Sequence, residues 1–461
     1  WGFKGHIVTD CWAINDFITH QKITHNGTDA AVLALNAGVN LNCGTNFKYI
    51  PDAVKQGKIS EAEIDSLLKP VLRTRIKLGL LQSDDYTPYD TIQPEIVNCG
   101  KHISLAYEAA VKSIVLLKNS NKVLPLDKSK LKKLYLLGPT MSENSALLGN
   151  YNGFSGNLVT FLEGIMNKVD AGTVVDYNIG TLLNTSDMFS GLWQVPDAEV
   201  IVAAIGNTMM LEGENGDAIL SDSGGDRKDL KLPENQVELI RKIREKAPDK
   251  PLIVIVTGGS AIDLSEISSM ADAVLFAWYP GEQGGNAMAD ILFGTVNPSG
   301  KLPVTFYASV EDLPAFDDYS MQNRTYRFFK GEALYPFGYG LSYSAFEVED
   351  FKALDSRNEK MIFSLTIKNT GIYDGEEVVQ FYVRKPKLHE RNPAKSLCAF
   401  KRIFLKAGES KQITIEVNID DLKAWDVENK NNVLTEGNYE FQVGSSSADI
   451  KQTTHVYLKQ N

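Results

Sequence analysis

The sequence predicts a multidomain protein in which two α/β regions precede an antiparallel β-sandwich. Its 461 residues are room for about three domains at ~150 residues each. Short apolar segments alternate with helical stretches as far as Tyr343, and beyond it the helical period gives way to alternating apolar and polar side chains. The hydrophobic content of 43% is ordinary for packed cores, which excludes disordered and fibrous proteins.

The first region, residues 1–81, has the pattern strand, helix, strand, helix. We expect strands at residues 5–10 and 38–42, with a helix over residues 28–37 between them. Two such units are a fragment of a parallel sheet, whereas a closed (β/α)₈ barrel needs eight units and about 250 residues. If this is barrel sequence, residues 1–81 are its C-terminal part and most of the barrel lies upstream of Trp1.

The last helix of this region carries its own boundary signals. Ser60 with Glu63 three residues later is typical of a helix N-terminus, and Gly79 marks the end. Pro70 lies inside the pattern and is expected to kink the helix or split it in two. Residues 82–100, which contain prolines and acidic side chains, are expected to form a surface linker.

The second region, residues 101–330, again alternates strands and helices. This pattern predicts an α/β sandwich built on a mostly parallel sheet. Predicted strands lie at residues 114–117, 134–137, 200–205, 252–256 and 273–276, and predicted helices include residues 235–244 and 286–292.

The third region, residues 331–461, has short alternating segments separated by turn signals. Strands are expected at residues 361–367, 377–383, 412–417 and 439–443. Several antiparallel strands over ~110 residues fit a β-sandwich of immunoglobulin or fibronectin type.

Charge and motif content exclude several classes of function. The formal net charge of −11 repels phosphate backbones and anionic lipid, so nucleic acid is not an expected partner. No apolar run reaches the ~20 residues that cross a bilayer. The six histidines are scattered, and the segment Thr257-Gly258-Gly259-Ser260 lacks the full glycine spacing of a dinucleotide site, so we expect neither metal nor cofactor.

The four cysteines do not make a disulfide framework. Cys11 and Cys43 nevertheless follow neighbouring predicted strands, where a bridge in an oxidising compartment is geometrically conceivable. Two buried free thiols are the alternative, and the sequence favours neither.

One candidate catalytic residue lies at the end of the first predicted strand. An acid at the carboxyl end of a barrel strand points into the mouth where active sites form, so Asp10 is a candidate nucleophile. A carboxylate that caps the following helix is an equally good interpretation of the position alone.

A second candidate constellation is the long acidic, glycine-rich loop after the strand at residues 200–205. It contains Glu212-Gly213-Glu214, followed further on by Gly225-Asp226-Arg227. Loops of this length in a compact domain are usually functional or disordered, and a solvated acidic loop is the alternative interpretation.

These segments resemble those of glycoside hydrolase family 3, in family order and over essentially the whole chain. The resemblance is carried by the nucleophile segment Gly2-Phe3-Lys4-Gly5 to Thr9-Asp10, by Ala37-Gly38-Val39-Asn40-Leu41-Asn42-Cys43-Gly44, by Ser113-Ile114-Val115-Leu116-Leu117-Lys118-Asn119, by Pro280-Gly281-Glu282-Gln283-Gly284-Gly285, by Pro298-Ser299-Gly300-Lys301-Leu302-Pro303 and by Tyr335-Pro336-Phe337-Gly338-Tyr339-Gly340.

The resemblance implies a retaining, exo-acting β-glycosidase that removes a terminal xylose or glucose from an oligosaccharide or an aryl or alkyl β-glycoside. Asp10 is then the nucleophile and Glu214 the general acid/base, with Glu212 as the rival for that role. Trp12 and Glu212 are expected to contact substrate, although Trp12 fits barrel packing equally well. The cysteine-bearing segments and the Glu212 region look more like the xylosidase branch.

The resemblance also implies a fibronectin type III-like last domain and a periplasmic or extracellular location. A non-catalytic fragment is the competing hypothesis, because two strand–helix units leave sheet edges and an apolar face uncovered.

Overall fold

The computed structural model describes residues 2–81, 87, 89–357, 359–387, 392–428 and 430–459. The chain divides into two compact units, Trp1–Val97 and Asn98–Asn461, which are described separately below. The linker predicted at residues 82–100 falls partly outside the described residues. The domain boundaries predicted at residues 81, 100 and 330 stay predictions.

The first unit consists of helices around one short parallel pairing. Val8 and Leu41 form a parallel bridge, and the Thr9 amide donates to the Leu41 carbonyl at 3.0 Å. Residues 5–10 and 38–42 are predicted as strands, but among the described residues they form only this single bridge, and each segment pairs only with the other. The helices are α1 (Ala13–Thr19), α2 (Gly27–Asn36), α3 (Ile50–Lys55) and α4 (Glu61–Lys77).

Helix α4 begins as predicted but is not split. Ser60 forms a capping box in which its hydroxyl accepts from the Glu63 amide while the Glu63 side chain accepts from the Ser60 amide. The helix runs through Pro70, so of the two outcomes expected there, a kink or a split, the split does not occur. Pro70 has no N–H for the carbonyl of Ser66, but Ser66 is exposed and solvent can replace that bond.

The second unit begins with a six-stranded sheet. Its order is β1-β6-β5-β4-β2-β3, in which all neighbours are parallel except β1 and β6. The predicted α/β sandwich with a mostly parallel sheet is confirmed. The strands are β1 (Val115–Asn119), β2 (Lys133–Leu137), β3 (Val174–Asn178), β4 (Val200–Gly206), β5 (Leu252–Thr257) and β6 (Ala273–Trp278).

Helices cover both faces of this sheet. All seven residues of β4 are buried, and its side chains alternate between two apolar cores, with Ile201 in one and Val202 in the other. A strand buried on both faces reads as a continuous apolar run, which is why the sequence showed it clearly. The helices are α5 (Gly100–Ser113), α6 (Phe161–Met166), α7 (Met209–Glu212), α8 (Glu234–Lys246), α9 (Ser265–Met270), α10 (Gly284–Leu292) and α11 (Thr325–Phe328).

The chain then forms the predicted β-sandwich. One sheet has the order β10-β9-β14-β15 and the other β11-β8-β7, and all pairings are antiparallel. The strands are β7 (Phe346–Arg357), β8 (Lys360–Asn369), β9 (Gly375–Arg384), β10 (Ser396–Leu405), β11 (Ser410–Asn418), β12 (Ala424–Asp426), β13 (Asn431–Val433), β14 (Gly437–Gly444) and β15 (Ile450–Leu458).

Charged side chains tie the β-sandwich to the α/β sandwich. Lys301 and Glu377 form a buried ion pair at 3.1 Å, and Arg402 on β10 donates to the Ser299 hydroxyl at 2.5 Å and contacts Glu376 at 3.0 Å. These contacts fix the two layers against each other within the second unit. Among the described residues, no helix combines the length and apolar character needed to cross a bilayer.

Candidate active site

Asp10 lies just beyond the parallel pairing of the first unit. Its side chain is exposed, and one carboxylate oxygen accepts a hydrogen bond from the Cys11 amide at 2.8 Å. The N-cap position of α1 is Trp12, so the Asp10 carboxylate does not cap that helix. Its exposed position after a parallel segment leaves the carboxylate open to a ligand.

The ends of the two paired segments, residues 9–12 and residue 43, are joined by a disulfide and by hydrogen bonds. Cys11 and Cys43 form a disulfide, which decides between the two alternatives that the sequence left open. The Thr9 hydroxyl accepts from the Cys43 amide at 2.9 Å, and the Trp12 amide donates to the Cys43 carbonyl at 2.7 Å. These ties fix the backbone on both sides of Asp10.

Trp12 presents its ring to solvent beside the same segment end. The residue is 56% exposed and has a left-handed backbone with φ 65°. A Cβ added to Gly44 would lie 3.6 Å from the ring, so the indole lies beside Gly44. An exposed indole two residues after Asp10 suits stacking on the apolar face of a sugar.

Glu212, in the second unit, is almost fully saturated by hydrogen-bond donors. Its side chain is 8% exposed. One carboxylate oxygen accepts from Asn207 at 2.8 Å and lies 3.2 Å from Nε of Arg227, and the other accepts from the Gly259 amide and from the Tyr279 hydroxyl at 2.6 Å. Three hydrogen bonds and one ion pair therefore hold the carboxylate.

The partners of Glu212 are themselves fixed. Burial and the neighbouring Glu212 carboxylate raise the pKa of Tyr279 far above its usual value, so its hydroxyl stays a donor. The second guanidinium nitrogen of Arg227 donates to the Ser260 hydroxyl and to the Ala261 carbonyl at 2.8 Å. The Glu212 carboxylate is therefore held in one orientation.

Glu214 has the opposite surroundings. The residue is exposed, and within the described residues its carboxylate has no hydrogen-bond or ion-pair partner. Its backbone is nevertheless ordered, because its carbonyl accepts from the Asp217 amide at 2.9 Å. Glu214 thus offers a free carboxyl on a positioned backbone, two residues beyond the clamped Glu212.

Sequence reasoning missed the donors around Glu212. Gly259 belongs to the glycine-rich turn that was considered only as a dinucleotide site, and a Cβ there would lie 3.1 Å from a Glu212 oxygen. Adjacent glycines directly after a buried strand are the signal of a close approach. The sequence assigns no role to Arg227, and Tyr279 carries no signal beyond its place after a strand.

A cavity of about 820 Å³ borders the C-terminal half of the loop that carries Glu212 and Glu214. Its lining includes Asn207, Leu211, Arg227 and Phe189, but neither Glu212 nor Glu214. In the described part of the chain, no group of three or more His, Cys, Asp or Glu side chains is arranged to hold a metal ion.

Comparison with protein families gives three matches in chain order. The model of the glycosyl hydrolase family 3 N terminal domain matches residues 1–74, and that of the family 3 C-terminal domain matches residues 114–343. A fibronectin type III-like domain matches residues 377–447.

Individual relatives agree with these matches. A periplasmic β-glucosidase of Salmonella typhimurium is 32% identical over 99% of this chain and 64% of its own length. A putative β-xylosidase of Formosa agariphila is 33% identical over 100% of the chain and 60% of its own length. The chain therefore spans less than two thirds of each.

A solved structure has the same fold. It is an exo-β-xylosidase of glycoside hydrolase family 3 in complex with a xylobiose aziridine activity-based probe, with a TM-score of 0.86 and 28% identity over 99% of this chain and 61% of its own. Since the two family 3 models together match more than half of the chain and the relatives match nearly all of it, the chain belongs to glycoside hydrolase family 3.

Proposed function

We propose that the protein to which this chain belongs is a retaining, exo-acting β-glycosidase that hydrolyses terminal β-linked xylose or glucose from oligosaccharides. Asp10 is the nucleophile and Glu214 the general acid/base. The observation that carries the assignment is the contrast between the two loop glutamates: three hydrogen bonds and an ion pair hold Glu212, whereas the Glu214 carboxylate has no partner among the described residues.

Hydrolysis with retention needs two carboxyl groups about 5 Å apart in the working site. In the first step the Asp10 carboxylate attacks the anomeric carbon while the Glu214 carboxylic acid gives its proton to the departing glycosidic oxygen. In the second step Glu214, now a carboxylate, takes a proton from water, and the hydroxide oxygen displaces Asp10 from the sugar. The enzyme regains its starting protonation state.

The surroundings of the three acids support these roles. A general acid must lose and regain a proton during each turnover, and the Glu212 carboxylate is already engaged by three hydrogen bonds and an ion pair. Glu214 loses no internal bond when it is protonated. Asp10 accepts one backbone hydrogen bond, which fixes its rotamer and leaves its second oxygen open.

The names of the relatives support the proposed sugars and the proposed exo action. Names of relatives include both β-glucosidase and β-xylosidase, and the probe-bound structure is named an exo-enzyme. We propose Trp12 as a ring that stacks on substrate, and we favour xylose because the Glu212 region resembles the xylosidase branch. We assign the clamped Glu212 no direct bond to substrate, in contrast to the sequence-based expectation.

We also propose a periplasmic or extracellular location. The Cys11–Cys43 disulfide favours an oxidising compartment, and one relative is named periplasmic.

The test is hydrolysis of 4-nitrophenyl β-xyloside and β-glucoside by the full-length protein, with the anomer of the first-formed sugar followed by proton NMR. The proposal predicts release of the β-anomer, and loss of turnover in Asp10→Asn. Release of the α-anomer would contradict retention. The 461-residue chain assayed alongside tests the alternative of a non-catalytic fragment, which predicts turnover only in the longer protein.

A further inference from the structure

The donors to Glu212 come from three neighbouring strand ends and from one distant loop position. Asn207 follows β4, Gly259 follows β5 and Tyr279 follows β6. The fourth partner, Arg227, lies at the C-terminal end of the loop that begins after Glu212. A single carboxylate thus joins the carboxyl ends of three parallel strands to the loop that leaves the first of them.

The ion pair of Glu212 and Arg227 joins the two ends of that loop, which together are called the base of the loop. Residues 213–226 lie between the two partners, and Arg227 is held to the end of β5 through the hydroxyl of Ser260 and the carbonyl of Ala261. Both side chains are largely buried, 8% exposed for Glu212 and 15% for Arg227. A partly buried pair is screened less by salt than a surface pair.

Among the described residues, two hydrogen bonds join residues 213–226 to the rest of the second unit. The Leu220 amide donates to the Met210 carbonyl at 2.8 Å, and the Leu220 carbonyl accepts from Asn184 at 2.8 Å. The bond from the Gly216 amide to the Gly224 carbonyl, at 3.1 Å, lies within the loop itself. Glu214 is only two residues from the base, so the closed base determines where its backbone lies.

We propose that Glu212, Arg227 and Tyr279 are positioning residues for the reaction, and that they act by fixing the base of the loop that carries Glu214. The inference rests on the proposed function, in which Glu214 is the acid/base. None of the three side chains has to touch substrate. Their effect falls on proton transfer, because a displacement of about 1 Å in a reacting group costs ~10²-fold in rate.

The chemistry of the leaving group separates this role from a merely structural one. Departure of phenol from a phenyl β-glycoside needs a proton from the acid, whereas 2,4-dinitrophenolate leaves without one. A misplaced acid therefore slows the first substrate only. A general loss of folded protein or of sugar binding slows both substrates equally.

The experiment compares kcat/KM for phenyl and 2,4-dinitrophenyl β-glycosides in the full-length protein, using the sugar that it turns over. Glu214→Ala is expected to lose about 10²–10⁴-fold on the phenyl substrate and little on the dinitrophenyl substrate. Tyr279→Phe and Glu212→Gln are expected to lose about 10- to 100-fold on the phenyl substrate alone. Glu214→Ala combined with Tyr279→Phe should be no slower than Glu214→Ala, because both act on one step.

A matched control lies at the opposite ends of the same strands. Arg244 and Asp272 form an ion pair at 2.8 Å, and Asp272 also accepts from the Leu252 amide, at the amino ends of β5 and β6. Asp272→Asn removes a comparable charge pair from the same sheet. It should leave the ratio of the two kcat/KM values unchanged.

The possible outcomes separate this inference from the proposed function. If Glu214→Ala shows the leaving-group effect while Tyr279→Phe and Glu212→Gln slow both substrates equally, the positioning role is overturned and the acid assignment stands. If Glu214→Ala shows no such effect, the acid assignment fails and the positioning role with it. A leaving-group effect in all three variants, absent from Asp272→Asn, supports the inference.

Discussion

Removing the lysine from the buried Lys301–Glu377 pair tests how the two layers of the second unit are held together. The Lys301 ammonium lies 3.1 Å from one Glu377 oxygen and donates to the Gly340 carbonyl at 2.8 Å. The two side chains are only 10% and 9% exposed. Lys301→Met keeps the aliphatic stem and leaves the carboxylate buried without its cation.

The expected cost follows from this burial. Breaking a buried pair by removing one partner costs about 3–5 kcal/mol, because a charge stays buried and uncompensated. Replacing both residues, as in Lys301→Met with Glu377→Leu, is expected to recover most of that loss. The double variant should therefore be more stable than Lys301→Met alone.

The deficit should also depend on pH. Burial raises the pKa of Glu377, and the nearby Lys301 and Arg402 charges oppose that rise. Without Lys301 the folded protein binds the Glu377 proton more tightly than the unfolded chain does, whose glutamates titrate near ~4.3. In the wild-type protein the pKa of Glu377 is already raised, so the destabilisation by Lys301→Met grows with pH only above the wild-type folded pKa, by up to about 1.4 kcal/mol per pH unit, until the higher folded pKa of the variant is passed.

Hydrogen exchange of the β9 amides, measured by mass spectrometry at pH 5 and pH 8 and corrected for intrinsic rates, reports the local free energy of opening. The expected loss at pH 8 corresponds to exchange that is roughly 10²- to 4 × 10³-fold faster, by the tenfold per 1.4 kcal/mol relation. A change below about 0.5 kcal/mol at pH 8, the range of an ordinary surface substitution, would refute the reasoning. So would a loss that is larger at pH 5 than at pH 8.

Three further predictions concern stability elsewhere in the chain. Phe363→Ala, at a fully buried ring 4.6 Å from the Phe441 ring, should cost the β-sandwich about 3–5 kcal/mol, whereas Phe400→Ala, at a ring 67% exposed, should shift the thermal midpoint little. Ser60→Ala removes the cap of α4 and should cost about 1 kcal/mol in urea unfolding, with Ser60→Gly recovering most of it; equal losses would show that the cap bond is not the cause. Reduction of the disulfide that closes a separation of 32 residues should cost the first unit about 2–4 kcal/mol, measured as a lower midpoint in dithiothreitol, and an unchanged midpoint would argue against the bridge.

The sequence predicted most accurately the elements that carry a clear local signal, either a continuous apolar run or a helix-capping pair. Strand β4 is apolar throughout because both of its faces are buried, and α4 begins where Ser60 and Glu63 indicate. The effect of Pro70 was harder to foresee, since the cost of a lost helical bond depends on whether solvent can replace it. The segments around Val8 and Leu41 have strand composition but form one bridge, because pairing depends on neighbours as well as on composition.

The candidate site was predictable only in part. Sequence patterns located Asp10 and the loop with its two glutamates, and the family resemblance favoured Glu214 over Glu212 without a contact to support that choice. The structural support for Glu214 comes from contacts of Glu212 with Gly259 and Tyr279, which are 47 and 67 residues away in the chain. Such long-range contacts leave no local pattern, although the glycine pair after β5 indicates that another group approaches closely.

Covalent trapping tests most directly the claim that Asp10 is the nucleophile of a retaining glycosidase. The full-length protein is incubated with a 2-deoxy-2-fluoro β-xyloside or β-glucoside that has a dinitrophenolate leaving group, and then digested and sequenced by mass spectrometry. The account predicts one fluorosugar per inactivated molecule, esterified to Asp10. A fluorosugar on any other carboxylate, or rapid turnover of natural substrate by Asp10→Asn, would contradict it.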